Sequence, residues 1–203
     1  MLHSLSKAIA FFLMSKHCFE KEELDVYVYG VELVLSSAIG ILLILILSIA
    51  FSLLWEGVIF VLAFTALRSF TGGYHCYTYL RCNTLYVGTF AVCVLLYIWL
   101  APAAPAVWAV TVLSLLFSGG IIIKYSPVAH KNKPLDTAQK KSCRKKAIAV
   151  YAWIAAAAVV LLITEVRQAF ILPLVLDIVS AAMLCEIYSQ RKGGVTNEKS
   201  KPG

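Results

Sequence analysis

Charge is scarce in this chain: Asp, Glu, Lys and Arg together make up 14% of 203 residues, against 61% hydrophobic positions. That balance excludes a soluble domain with an ordinary charged surface, and the mean hydropathy of +0.83 agrees. Paired cysteine spacings are also missing. Cys18, Cys76, Cys82, Cys93, Cys143 and Cys185 are scattered along the chain, which argues against a disulfide framework and predicts reduced thiols. The sequence has no glycine-rich phosphate loop, no helical pair of histidines four apart and no internal repeat. Nucleotide hydrolysis, zinc-protease chemistry and solenoid folds therefore have no motif to rest on, and no cofactor is expected. A small-residue exit is lacking after Lys7 and the apolar residues 8–14, where Ser15, Lys16, His17 and Cys18 follow. This argues against a secretory signal. Leu2, Leu5, Ile9, Phe12 and Leu13 instead share one helical face, as in an interfacial amphipathic helix.

Long apolar runs are what the chain does have. Residues 31–55 exceed the ~30 Å hydrocarbon thickness at ~1.5 Å per helical residue. Residues 85–101 and 106–123 form a second and a third run, split by Pro102 and Pro105 at a tight reversal, and residues 147–163 and 170–187 form another pair. Residues 58–67 are the awkward piece, because ten helical residues reach only ~15 Å. Either the helix continues through Arg68 or the segment is re-entrant. The reading is an all-α integral membrane protein of about six transmembrane or partly embedded helices with an N-terminal amphipathic helix. It forms a single domain, with residues 1–30 as the amphipathic region, 31–187 as the bundle and 188–203 as a polar tail, disordered from Gly193.

The net charge of +7 then has a membrane explanation. With six crossings, Lys124, Lys131, Lys133, Lys140, Lys141, Arg144, Lys145 and Lys146 fall on one side with Arg68, Arg81, Arg191, Lys192 and both termini; the other side has Arg167. Positive-inside bias makes the first side cytoplasmic, and no nucleic-acid partner is needed to explain the charge.

The unusual local sequence is the stretch 68–83: Arg68, Gly72, Gly73, His75, Cys76, Cys82 and Asn83 lie beside the undersized segment. A histidine and a cysteine suffice for nucleophilic chemistry, because imidazole (pKa ~6.5) and thiol (~8.5) can share a proton at close range. Seven residues along a straight helix, however, would hold His75 and Cys82 ~10.5 Å apart. A chain break at Gly72 and Gly73, or a bend further on, would bring them together; the same glycines also suit simple helix packing or a turn. The bland alternative is an interfacial histidine and an inert thiol. Cys76 is a competing nucleophile, but adjacent helical side chains diverge by ~100°. A metal site of His75, Cys76 and Cys82 lacks a fourth ligand and familiar zinc spacing.

This stretch resembles the signature of the accessory gene regulator B (AgrB) family, membrane cysteine endopeptidases that process quorum-sensing propeptides in Gram-positive bacteria. The matching residues are Arg68, Gly72-Gly73, His75 and Cys82, seven residues beyond the histidine. The amphipathic start, the six apolar segments and the loop Asn132-Lys133-Pro134-Leu135, followed by a lysine-rich stretch, extend the resemblance over most of the chain. It implies Cys82 as nucleophile and His75 as its base, a precursor signalling peptide as substrate, a cyclic thiolactone or lactone as product, and a homodimer in the lipid bilayer.

Other roles stay open on the residues alone. Arg68 either binds a substrate carboxylate, pairs with a buried acid or anchors topology at the interface. The basic loop, with Lys131 and Lys133, either contacts acidic parts of the propeptide or serves orientation and anionic-lipid contact. Asp177 lies mid-run, where a charge costs ~2.5 to 3.5 kcal/mol, so it should face the interior with a partner. Glu32 and Glu56 lie near run ends, where water or headgroups account for them. Asn83 and the Gly73 amide are candidates for an oxyanion hole. The competing function is a small transporter or channel with Arg68, Gly72, Gly73 and Asp177 at a cavity; the sequence shows no duplicated halves to support it.

Overall fold

The computed structural model describes residues 2–16, 23–72, 78–128 and 136–198. They form seven α-helices: α1 (Leu2–Ser15), α2 (Leu24–Ala50), α3 (Leu54–Thr71), α4 (Tyr79–Leu100), α5 (Ala104–Tyr125), α6 (Thr137–Ile163) and α7 (Ile171–Glu198). A 3-10 turn at Arg167–Phe170 precedes α7. Six segments are long and apolar enough to cross a membrane, and α1 is the short N-terminal helix.

Helix α7 is the hub. Phe170, Ile171, Leu174, Val175, Leu176, Val179 and Met183 are all buried, and the helix packs against α3, α4, α5 and α6. Its apolar residues run all round the cylinder, so every side of it can be covered by a neighbour. Helix α2 covers α3 and α4, and α1 lies on α2. Lipid tails are as apolar as leucine, so these contacts depend on close packing and polar bonds between helices. At the α2–α3 contact, a Cβ on Gly57 would sit 1.8 Å from Ser48 Oγ, so only glycine lets the two backbones approach this closely. Between α5 and α6, the Tyr151 hydroxyl donates to the Leu115 carbonyl at 2.6 Å.

Two sequence expectations change here. The 31–55 run is not one helix: α2 begins at Leu24 and ends at Ala50, and the chain reverses at Phe51, Ser52 and Leu53. Ser52 takes φ 58°, and the Leu53 amide donates back to the Ser48 carbonyl at 2.7 Å. The reversal contains neither glycine nor proline, so hydropathy runs straight through it. The residues after the turn supply what the 58–67 segment lacked. Helix α3 is continuous for 18 residues, about 27 Å, and passes through Arg68 without re-entering. The second change is at the C-terminal end, where α7 runs to Glu198, past the Gly193-Gly194 pair at which the sequence predicts a disordered tail. Extending a formed helix is far easier than nucleating one, even through glycine.

Pro105 stands in the first turn of α5, where its missing amide hydrogen costs nothing, and the reversal after α4 is as tight as its prolines imply. Helix α6 opens with a capping box: Asp136 accepts from the Thr137 amide at 2.7 Å and Gln139 accepts from the Asp136 amide at 3.3 Å. At 27 residues, about 40 Å, it is longer than the hydrocarbon core, so its basic first turns extend beyond it.

Candidate active site

Helix α3 carries Arg68, half-buried, and then ends. The Thr71 hydroxyl donates to the Leu67 carbonyl at 3.0 Å and the Gly72 amide to the Arg68 carbonyl at 3.2 Å. Gly72 turns the chain out of the helix at φ 70°, ψ −149°, a conformation essentially restricted to glycine. Just beyond α5, the Val128 amide donates to the Thr71 carbonyl at 2.9 Å, and Gly72 and Val128 form an isolated bridge. The end of α3 is thereby fastened to the end of α5. Lys146 of α6 lies 5.6 Å over the Phe70 ring, and Arg144 donates to the Ile123 carbonyl at 2.9 Å. The basic start of α6 therefore shares this end of the bundle.

Cys82 sits in the first turns of α4 and is exposed. Thr78, in extended conformation, caps that helix by accepting from the Arg81 amide at 3.3 Å, and the Cys82 amide donates to the Thr78 carbonyl at 3.0 Å. Because Thr78 is extended, no straight helix runs from 75 to 82, and the ~10.5 Å separation along such a helix does not apply. His75, with Gly73, Cys76, Lys131 and Lys133, lies outside the described residues. Asn83 points away from water: it is half-buried, with the Ser36 hydroxyl 3.5 Å from its Oδ1. Cys93, on the same helix, is fully buried and serves packing. Among the described residues no cluster of His, Cys, Asp or Glu has the makings of a metal site.

One connection escaped the sequence reading. Glu32 is not simply solvated at a helix end. Its Oε2 accepts from the Tyr79 hydroxyl at 2.9 Å, and its Oε1 bonds His3 Nδ1 of α1. A single carboxylate of α2 thus ties the N-terminal helix to the first residue of α4, one turn from Cys82. The available signal was a lone acid near an apolar run, which in a membrane segment calls for a partner. Glu32→Ala is expected to loosen α1 while the bundle stays folded, seen as several-fold faster tryptic cleavage at Lys7. An unchanged cleavage rate would mean that apolar packing alone holds α1.

Two further acids are settled by packing. Asp177 faces α5 and accepts from the Ser114 hydroxyl, as its depth requires. Glu56 departs from expectation: it is buried at 6% exposure, beside Tyr97. The reversal at residues 51–53 places it inside the first turn of α3 and within the bundle, away from bulk water.

Among proteins of known families, the model for accessory gene regulator B matches residues 6–189. AgrB-like protein 2 of Clostridium perfringens strain 13 is 29% identical over 150 residues, covering 72% of this chain and 70% of the relative. An AgrB-like protein of Clostridium perfringens strain SM101 is 25% identical over the same length and shares. No solved structure matches the chain.

Proposed function

Because the chain belongs to the accessory gene regulator B (AgrB) family, a family of multi-pass membrane proteins, we propose that it is a cysteine endopeptidase. It cleaves a quorum-sensing propeptide and promotes its cyclisation to a thiolactone or lactone. The observation that carries this reading is the position of Cys82: an exposed thiol in the first turns of α4, shortly after the chain breaks out of α3 at Gly72. The positive end of the α4 dipole favours negative charge there. Positive-inside bias puts this end of the bundle in the cytoplasm, with Arg68, Arg81, Lys140, Lys141, Arg144, Lys145 and Lys146 around it.

The chemistry runs in two acyl transfers. The Cys82 thiolate attacks the scissile carbonyl, and a tetrahedral oxyanion forms and collapses. His75 gives its proton to the departing amine, so the C-terminal fragment leaves and the N-terminal part stays as a thioester on Cys82. A thiol or hydroxyl of the bound peptide then attacks that thioester, its proton passing to His75, and the Cys82 thiolate leaves as the ring closes. With a thiol, one thioester replaces another at little free-energy change, and the step is effectively intramolecular. Hydrolysis of the intermediate is outrun when the attacking group is already held beside the thioester. Arg68, Gly72 and Gly73, with Lys131 and Lys133 of the basic loop, are the candidate substrate-binding residues, and a homodimer is the assembly the family suggests.

The test is chemical capture. The full chain, reconstituted in vesicles with its cognate precursor peptide and quenched in acid, is expected to carry the N-terminal peptide fragment on Cys82 by mass spectrometry, released by hydroxylamine. Efficient cleavage with the adduct on another residue would overturn the assignment.

A further inference from the structure

A cavity of about 520 Å³ opens where α5 ends and α6 begins, lined by Tyr125, Ser126, Val128, Lys140, Lys141, Arg144, Ile187 and Gln190 among others. Three cations therefore face one space, and none of the described residues lining it is acidic. Lys140 and Arg144 are four apart on α6 and share a face. The nearby acid Glu186 is buried, and its Oε1 accepts at 2.8 Å from Nε2 of Gln190, which lines the cavity. The deciding observation is Ser126. Its side chain is buried at 5% exposure, and its Oγ has no hydrogen-bond partner among the described residues. Buried hydroxyls are nearly always paired, so this one has a hydrogen bond to spare at the cavity wall.

The height of the cavity in the membrane indicates what brings it. About 20 residues of helix span the ~30 Å hydrocarbon core, so counting back from Ile163 at the far end of α6 puts Arg144 at the near boundary, and Lys140 and Lys141 among the headgroups. Tyr125, the last residue of α5, is an interfacial residue type, and Lys124 lies 5.3 Å over its ring. Val128 and Ile187 give the cavity an apolar wall. An occupant needs anionic oxygens at one end and methylenes at the other. We propose that this cavity seats the phosphate of an anionic phospholipid headgroup, held by Lys140, Lys141 and Arg144 and accepting from Ser126 Oγ. The guanidinium of Arg144 is anchored on the Ile123 carbonyl through Nη2, leaving its other donors to face the phosphate. The site borders Val128, whose backbone holds Thr71 and Gly72, so a bound lipid would lie beside the end of α3.

The experiment uses the full chain extracted from vesicles of phosphatidylcholine and phosphatidylglycerol and examined by native mass spectrometry. The wild type is expected to retain one phosphatidylglycerol per chain in preference to phosphatidylcholine. Each cation removed should weaken retention about fivefold, so Lys140→Ala with Arg144→Ala lowers it on the order of twentyfold. Ser126→Ala should lower it a few-fold, as loss of one hydrogen bond to a charged group would. Lys140→Gln, at an exposed side chain, isolates the charge effect without disturbing the α5 contact of Arg144. Lys7→Ala with Lys16→Ala removes as much charge at the N-terminal helix, away from α6, and should leave retention unchanged. Equal loss in that control pair would reduce the effect to surface potential and overturn the site. Displacement of the lipid by millimolar inorganic phosphate would assign the cavity to a soluble anion, and displacement by poly-glutamate to an acidic peptide; either result defeats the lipid assignment.

Discussion

Cys82→Ala is expected to lower propeptide cleavage by at least ~10³-fold, with the protein still inserted and folded. The sulfur is the atom that carries the acyl chain through the proposed cycle, so without it neither transfer can proceed by this route. Because Cys82 is exposed, removing its side chain leaves no cavity in the core, so thermal stability should barely move. His75→Ala should cost less, ~10² to 10⁴-fold, as loss of general acid–base catalysis usually does. Part of that loss should be recovered with a substrate carrying a better leaving group than an amine, since the first step then needs no proton donor. Cys76→Ala should keep substantial activity. The measurement is single-turnover cleavage of a labelled precursor in vesicles. Mature cyclic peptide from Cys82→Ala would end the peptidase reading.

Gly72→Ala is the second large effect, and its origin is purely structural. A Cβ at this position would stand 2.2 Å from the Val128 carbonyl oxygen, a backbone atom that cannot swing aside. The φ of 70° with ψ −149° lies where side-chain-bearing residues are strained by ~1 to 3 kcal/mol. Both problems are relieved only by breaking the Gly72–Val128 bridge, which fastens α3 to α5. Cleavage is expected to fall more than ~10-fold, because a 1 Å misplacement of a catalytic group can cost ~10²-fold, and the melting temperature should drop. The matching control is Gly88→Ala on α4, where nothing lies within 4 Å of the added methyl. There the change should be neutral or stabilise by up to ~1 kcal/mol through helix propensity. Wild-type behaviour of Gly72→Ala would show that the turn is not needed in this form.

Hydropathy located the apolar segments well but misplaced the boundary between α2 and α3. The turn at Phe51, Ser52 and Leu53 is built from a serine in left-handed conformation within an unbroken apolar run. A scale that scores each residue's preference for lipid registers nothing when the backbone reverses between apolar residues. That one boundary explains both the apparent shortness of α3 and the misreading of Glu56. The candidate site was legible to a similar depth. The stretch from Arg68 to Cys82 stood out by residue type and spacing, and helix geometry asked for either a break at Gly72 and Gly73 or a bend further on if His75 and Cys82 were to meet. What no spacing could reveal was the partner that holds the break, since Val128 lies 56 positions beyond Gly72.

The sequence by itself determined the solvent, an all-helical bundle with six segments apolar enough to cross a membrane, the basic end, and the family signature with its thiol. These depend on composition and on local rules such as charge asymmetry and backbone freedom. Only the tertiary structure decided that α7 is the hub, that Glu32 joins α1 to α4, that Asp177 finds Ser114, and that Ser126 is buried beside three cations. In a membrane, the helix face turned to lipid and the face turned to another helix are equally apolar, so sequence periodicity does not separate inside from outside. That choice is made by shape and by polar pairing between residues far apart in the chain.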